Sequence, residues 1–166
     1  NTCGTSVASA AVMVAIGKTN QTITFTSVPA KTFGDAAFNV TASASSNLAI
    51  SSYSIVSGPG TISGNTVTIT GAGTIVAKAT QDGNATFNTA ENTLSIAVAK
   101  AAATIVLSNL TASYDGTAKQ AIATTNPLGL NTALTYNGSA ALPVQGGTYT
   151  VVANITSANY QGNTTA

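Results

Sequence analysis

The chain has 166 residues, room for one large domain or two small ones, and carries only five Lys and four acids, with no Arg and no His. Lys18, Lys31, Lys78, Lys100 and Lys119 are scattered and build no phosphate-neutralising patch, which argues against a nucleic-acid partner. No apolar run approaches the roughly 20 residues of a membrane-spanning helix.

A net charge of +1 leaves little repulsion between copies, so self-association is tolerated or wanted. The first five residues are polar and lack a charged leader region, which suggests that any secretion signal has been removed. Cys3 is the only cysteine, so an intrachain disulfide is excluded. It is a candidate for a bond to another chain or for an anchor, although Asn1 and Thr2 ahead of it argue against lipidation. The plain reading is an unpaired thiol.

The first predicted element covers residues 9–18. Val12, Val14 and Ile16 fall on one face of a strand there, with Met13, Ala15 and Gly17 on the other. The pattern returns at residues 93–100, where Leu94, Ile96 and Val98 share a face and a Lys again ends the run. Between them, strands are predicted at 22–26, 37–42, 50–56, 61–63, 65–70 and 74–80. Residues 28–31 make a bend, while Gly58 to Gly60, Gly64 and Asp82-Gly83-Asn84 mark turns. No window shows helical spacing. Seven short strands at this spacing predict an immunoglobulin-like β-sandwich over residues 19–99.

The pattern then restarts. Ile23 to Phe25 and Ile105 to Leu107 each lie five residues beyond a Lys, and Val28 and Leu110 each lie ten beyond. Phe33-Gly-Asp35 answers Tyr114-Asp-Gly116, Tyr53 to Gly58 answers Leu134 to Ser139, Gly73-Thr74 answers Gly147-Thr148, and Phe87 answers Tyr160. This internal repeat predicts a second, more compact sandwich over residues 100–166. The chain is therefore expected to be all-β: an extension at 1–18 and two tandem sandwiches. After Tyr160 only six residues remain, so the second sandwich is expected to lack its closing strand.

Gln21-Thr-Ile-Thr-Phe25, Pro29-Ala-Lys-Thr-Phe-Gly-Asp35 and Gly71-Ala-Gly-Thr74 resemble the bacterial immunoglobulin-like repeats of large surface proteins. Tyr114-Asp-Gly-Thr-Ala-Lys119 and Ala158-Asn-Tyr-Gln-Gly162 are similar to the companion repeats called MBG or YDG domains. The resemblance covers most of residues 19–162. It implies an extracellular, cell-surface setting and a spacer role, with each module joined to the next through a strand ending in Lys.

Chemistry finds little support. Without His or Arg, an acid–base site would need Lys, Tyr and the four acids to converge. Asp35, Asp82 and Asp115 sit beside turn glycines, where Asp serves the backbone. No enzyme, no cofactor and no metal site is expected. Lys78 with Glu91 is the one candidate for a Lys–Asn crosslink promoted by an acid, but alternation turns Lys78 away from Ile75 and Ala77. Thr runs at 22/24/26, 66/68/70 and 148/150 are similar to ice-binding ladders, yet ordinary strands present Thr outward too. Asn20, Asn39, Asn84, Asn109, Asn137, Asn154 and Asn163 open Asn-x-Ser/Thr sequons.

The sequence reading is a subunit of a surface filament that polymerises head to tail by donor-strand complementation, its partner being itself. Aligning the two Lys-terminated strands sets Val12 on Leu94, Val14 on Ile96 and Ile16 on Val98. The expected acceptor groove is the inward face of Tyr149, Val151, Ala153 and Ile155. The rivals are a fragment of a giant tandem-repeat adhesin and a carbohydrate- or ice-binding module. No host or surface ligand can be named.

Overall fold

The computed structural model describes residues 15–166, and every regular element in them is a strand. The first half contains β1 (Ile23–Phe25), β2 (Lys31–Thr32), β3 (Phe38–Asn39), β4 (Ala42–Ala44), β5 (Ser52–Ser57), β6 (Gly60–Ser63), β7 (Thr66–Ile69), β8 (Gly73–Gln81) and β9 (Ala90–Ala99). The second contains β10 (Ala101–Ala102), β11 (Thr104–Ser108), β12 (Ile122–Asn126), β13 (Thr132–Tyr136), β14 (Val151–Ile155), β15 (Tyr160–Gln161) and β16 (Asn163–Thr165). These strands form several small sheets.

Alternation sets the faces. Along β8, Ile75, Ala77, Ala79 and Gln81 are buried while Val76, Lys78 and Thr80 are not, the period-two pattern of a strand with one core face. Along β9, Ile96 and Val98 are buried and Ser95 and Ala97 exposed. β8 lies between β9 and β5, antiparallel to both, and β2 adds to β9 in parallel. Across the core from them stands the sheet β3-β7-β6, which contributes Val67. The expected strand at 37–42 is broken in two: β3 pairs with β7 and β4 with β1. The fully buried Val40 lies between them, where the chain crosses from one sheet to another.

The repeat seen in the sequence reappears as matched hydrogen bonding. Thr19 bridges Phe87 in parallel, as Ala101 does Tyr160. Thr19 N–H donates to Thr86 O at 2.8 Å, and Ala101 N–H to Asn159 O at 2.9 Å. The β1–β4 ladder has its counterpart in β11–β12. Tyr53 faces Ala79 and Ile55 faces Ala77, just as Leu134 faces Ala153 and Tyr136 faces Val151.

Two differences matter. Residues 139–150 hold no strand in the place of the β6–β7 hairpin, so the second half has no counterpart of the β3-β7-β6 sheet among its described residues. The closing strand, expected to be missing, is begun: β16 pairs Asn163 with Asn154, Thr164 with Ala153 and Thr165 with Val152. These are the pairings that Glu91, Asn92 and Thr93 make with β8. The second core is correspondingly small, with Ala121, Tyr136 and Val151 buried and Leu107, Leu134 and Tyr149 packed against them.

Candidate functional site

Where β16 gives out, the second half opens into a groove of about 380 Å³. Its position follows from the repeat. In the first half the same space holds the second part of β9, with Ile96 facing Ile75 and Val98 facing Gly73. In the second half Tyr149 and Gly147 stand where Ile75 and Gly73 stand, and no described strand lies beside them.

One wall is the backbone leading into β14. Val151 N–H donates to Ala166 O at 2.8 Å and Ala166 N–H returns a bond to Val151 O at 2.9 Å. Thr150 turns the other way, its N–H donating to Asn137 Oδ1 and its carbonyl accepting from Asn137 N–H. By the alternation of an antiparallel ladder, Tyr149 therefore presents its N–H and C=O to the same edge as Val151, beyond the end of β16. The opposite wall is the irregular segment 109–114. It stands where β2 stands in the first half, and β2 holds β9 there through Phe33 N–H to Ala99 O at 2.9 Å. Pro143 and Val144 close one side, and Tyr136 reaches the floor.

Local chemistry fixes these walls. Tyr136 is buried, and its hydroxyl accepts the Ala121 N–H at 2.9 Å. In the first half Tyr53 does the same for Ala42 N–H at 3.1 Å, from a position two residues along the strand. Asp115 accepts from Thr117 N–H, Thr117 Oγ1 and Lys119 Nζ, which ties residues 115–119 into a closed turn. The Lys119 ammonium, then the Thr117 donors, hold the Asp115 carboxyl below the usual carboxylate range. Lys119 N–H donates to Pro143 O at 2.9 Å and links the turn to the facing loop.

The residues expected from sequence are placed unevenly. Tyr149 and Val151 line the groove. Ala153 and Ile155 point inward too, but they lie beside β16 and Gly162 and are not part of the opening. Leu110, Tyr114, Tyr136, Pro143 and Val144 were not anticipated as walls. Val12, Val14 and Cys3 lie outside the described residues. Ile16 is 91% exposed.

Other candidates resolve as surface features. Lys78 Nζ donates to Glu91 Oε1 at 2.9 Å in an exposed ion pair, which also accepts Thr80 Oγ1. The Lys78 ammonium and then the Thr80 hydroxyl lower the Glu91 pKa. No acid is buried beside Lys78, as a crosslink would require. The Thr runs fall in and on either side of β1, in and after β7 and ahead of β14, so they share no single sheet face. All seven sequon Asn are exposed. Asn154 and Asn163 are directly paired, and Asn109 sits on the groove rim with its Nδ2 donating to Gln120 O. Among the described residues no His, Cys, Asp and Glu cluster could hold a metal, and no helix is long and apolar enough to cross a membrane.

The half of the chain that carries this groove matches a known family. Residues 103–166 are an MBG domain. MBG domains are typical of repeats in bacterial surface proteins. No curated protein and no solved structure matches the chain. The groove therefore belongs to an MBG domain whose β16 covers only part of the edge of β14. Its Tyr114 to Lys119 motif builds the Asp115 turn. Its Ala158 to Gly162 motif ends on a glycine because a Cβ there would lie 2.1 Å from Ala103 O.

Proposed function

We propose that the chain is a structural, non-enzymatic subunit of an extracellular surface filament, made of two immunoglobulin-like sandwiches (19–99 and 100–166) behind a donor strand (1–18). The observation that carries this reading is the groove, which occupies the place of Ile96 and Val98. The donor is residues 13–17 of a second copy. Val14 would pair with Tyr149 and Ile16 with Gly147, in the register that Ile96 and Val98 use. Val12 would fall at the position of Ala166, whose backbone already serves Val151, so two apolar side chains are seated instead of three.

Burying Val14 and Ile16 contributes about 3–6 kcal/mol. Backbone bonds to Tyr149 and Gly147 add to that, and ordering about five residues opposes it at about 1–2 kcal/mol each. The exposure of Ile16 supports a partner elsewhere, since an apolar alternation wants a pleated, half-buried surface. The MBG match supports a cell-surface setting.

The repeat nature of MBG domains favours one second reading, a segment of a long tandem-repeat adhesin. In that case the groove is filled by residues following 166 in the same polypeptide. Denaturing electrophoresis of the native material separates the two: a ladder that collapses to a single short subunit supports the filament, and one very long polypeptide refutes it.

A further inference from the structure

We propose that Tyr114 of one copy packs edge to face on Phe87 of the next, so that the junction between copies repeats the junction between the two halves of one chain. The inference rests on the donor-strand reading and adds the contact that would set the angle between subunits.

The template lies within the chain. Phe33 N–H donates to Ala99 O, Lys100 follows, Ala101 pairs with Tyr160, and the rings of Phe33 and Tyr160 meet with centroids 5.5 Å apart and planes at 85°. Every part has a counterpart in the repeat: Tyr114 for Phe33, Gly17 for Ala99, Lys18 for Lys100, Thr19 for Ala101 and Phe87 for Tyr160. The second part of the junction is already built, because Thr19 bridges Phe87 as Ala101 bridges Tyr160. A donor strand that brings Gly17 alongside Tyr114 therefore carries Phe87 of the same copy to the Tyr114 ring.

Tyr114 has the surface this requires. It is 70% exposed, while its counterpart Phe33 is half-buried against Tyr160. Aromatic rings prefer the edge-to-face arrangement that Phe33 and Tyr160 adopt. The polar part of the junction differs. Asn159 Oδ1 accepts Ala72 N–H at 2.9 Å, whereas Thr86, in the place of Asn159, has a shorter side chain. The aromatic pair is thus left to fix the geometry between copies.

The test replaces Tyr114 by the photoreactive p-benzoylphenylalanine in the full chain, irradiates assembled material and maps the crosslinked peptides. The same substitution at Phe33 is the control, expected to join the peptide bearing Tyr160 within one chain. The expected result at position 114 is a ladder of covalent oligomers joined to the tryptic peptide 79–100, which contains Phe87. Filaments that crosslink elsewhere, or only within a chain, while the control works, overturn this contact and leave the donor strand standing. If the unmodified chain forms no filaments and no ladder appears, the donor-strand reading fails and the contact fails with it.

Discussion

Val151 and Ala166 exchange two backbone hydrogen bonds, at 2.8 and 2.9 Å, and among the described residues the pairing along that edge of β14 goes no further. In the first half the equivalent edge of β8 is paired through Ile75 with Ile96 to Gly73 with Val98. The second half thus begins a sheet edge that a further length of strand can complete, and an open edge beside a groove walled by Tyr149, Val151 and Leu110 invites one.

The first prediction follows from the donor's register. Val14→Asp would replace an apolar donor side chain by a carboxylate opposite Tyr149, in a groove whose lysine, Lys119, is already paired with Asp115, a cost of several kcal/mol. Filaments should be lost while the thermal transition of residues 19–99 is unchanged. Electron microscopy and circular dichroism of the same sample check both halves of the statement.

A second prediction concerns Gly162. A Cβ there would meet Ala103 O at 2.1 Å and Ile155 Cδ1 at 3.2 Å, so β15 would have to move away from β10 and β11. Gly162→Ala should destabilise the MBG domain by about 1–3 kcal/mol, as overpacking does. Gly116→Ala meets no atom within 4 Å and pays only for its φ of +75°, about 1 kcal/mol. Denaturant melts that rank the two variants the other way round would refute this account of the motif.

The hydroxyl of Tyr136 gives a third. It is the acceptor for Ala121 N–H, and both residues are buried. Tyr136→Phe keeps the ring and removes the acceptor, so the MBG domain should lose about 1–3 kcal/mol. Tyr53→Phe in the first half should cost less, because its bond to Ala42 N–H is only partly buried and water can replace it. Paired melts of the two variants measure the difference.

Much of this architecture was legible in the sequence. Val, Ile and Thr in alternation marked the long strands, and the spacing from Lys18 and Lys100 gave the register between the halves. The opening itself was less legible. β16 is Asn163–Thr165, a polar run with no apolar alternation, so its pairing with β14 carried no signal. The walls formed by Leu110, Tyr114 and Val144 come from irregular segments far apart in sequence, which no local pattern brings together. Ala153 and Ile155 were placed in the groove because they share a face with Val151. That face is continuous, but β16 covers its far end.

A fourth prediction concerns acid. The Asp115 pKa is lowered, chiefly by Lys119 and then by Thr117. Its interactions in the turn are therefore fully present above the ordinary Asp value of about 3.9 and are lost only as pH falls through the lower folded value. The turn beside the groove should keep its structure from neutral pH down to about pH 4. Because the ion pair with Lys119 is exposed to solvent, the shift should shrink in salt. Nuclear magnetic resonance of the Thr117 amide against pH reads this directly. A midpoint at the ordinary Asp value in low salt would contradict it.

The most direct test of the donor strand is hydrogen exchange at the Tyr149 amide, which faces the open edge. In assembled full-length protein it should exchange slowly, as the Ile75 amide does. In a chain lacking residues 1–17 it should exchange rapidly, and a synthetic peptide of residues 7–17 should restore protection without restoring filaments. Rapid exchange at Tyr149 in assembled filaments, or assembly that persists without residues 1–17, would contradict donor-strand complementation.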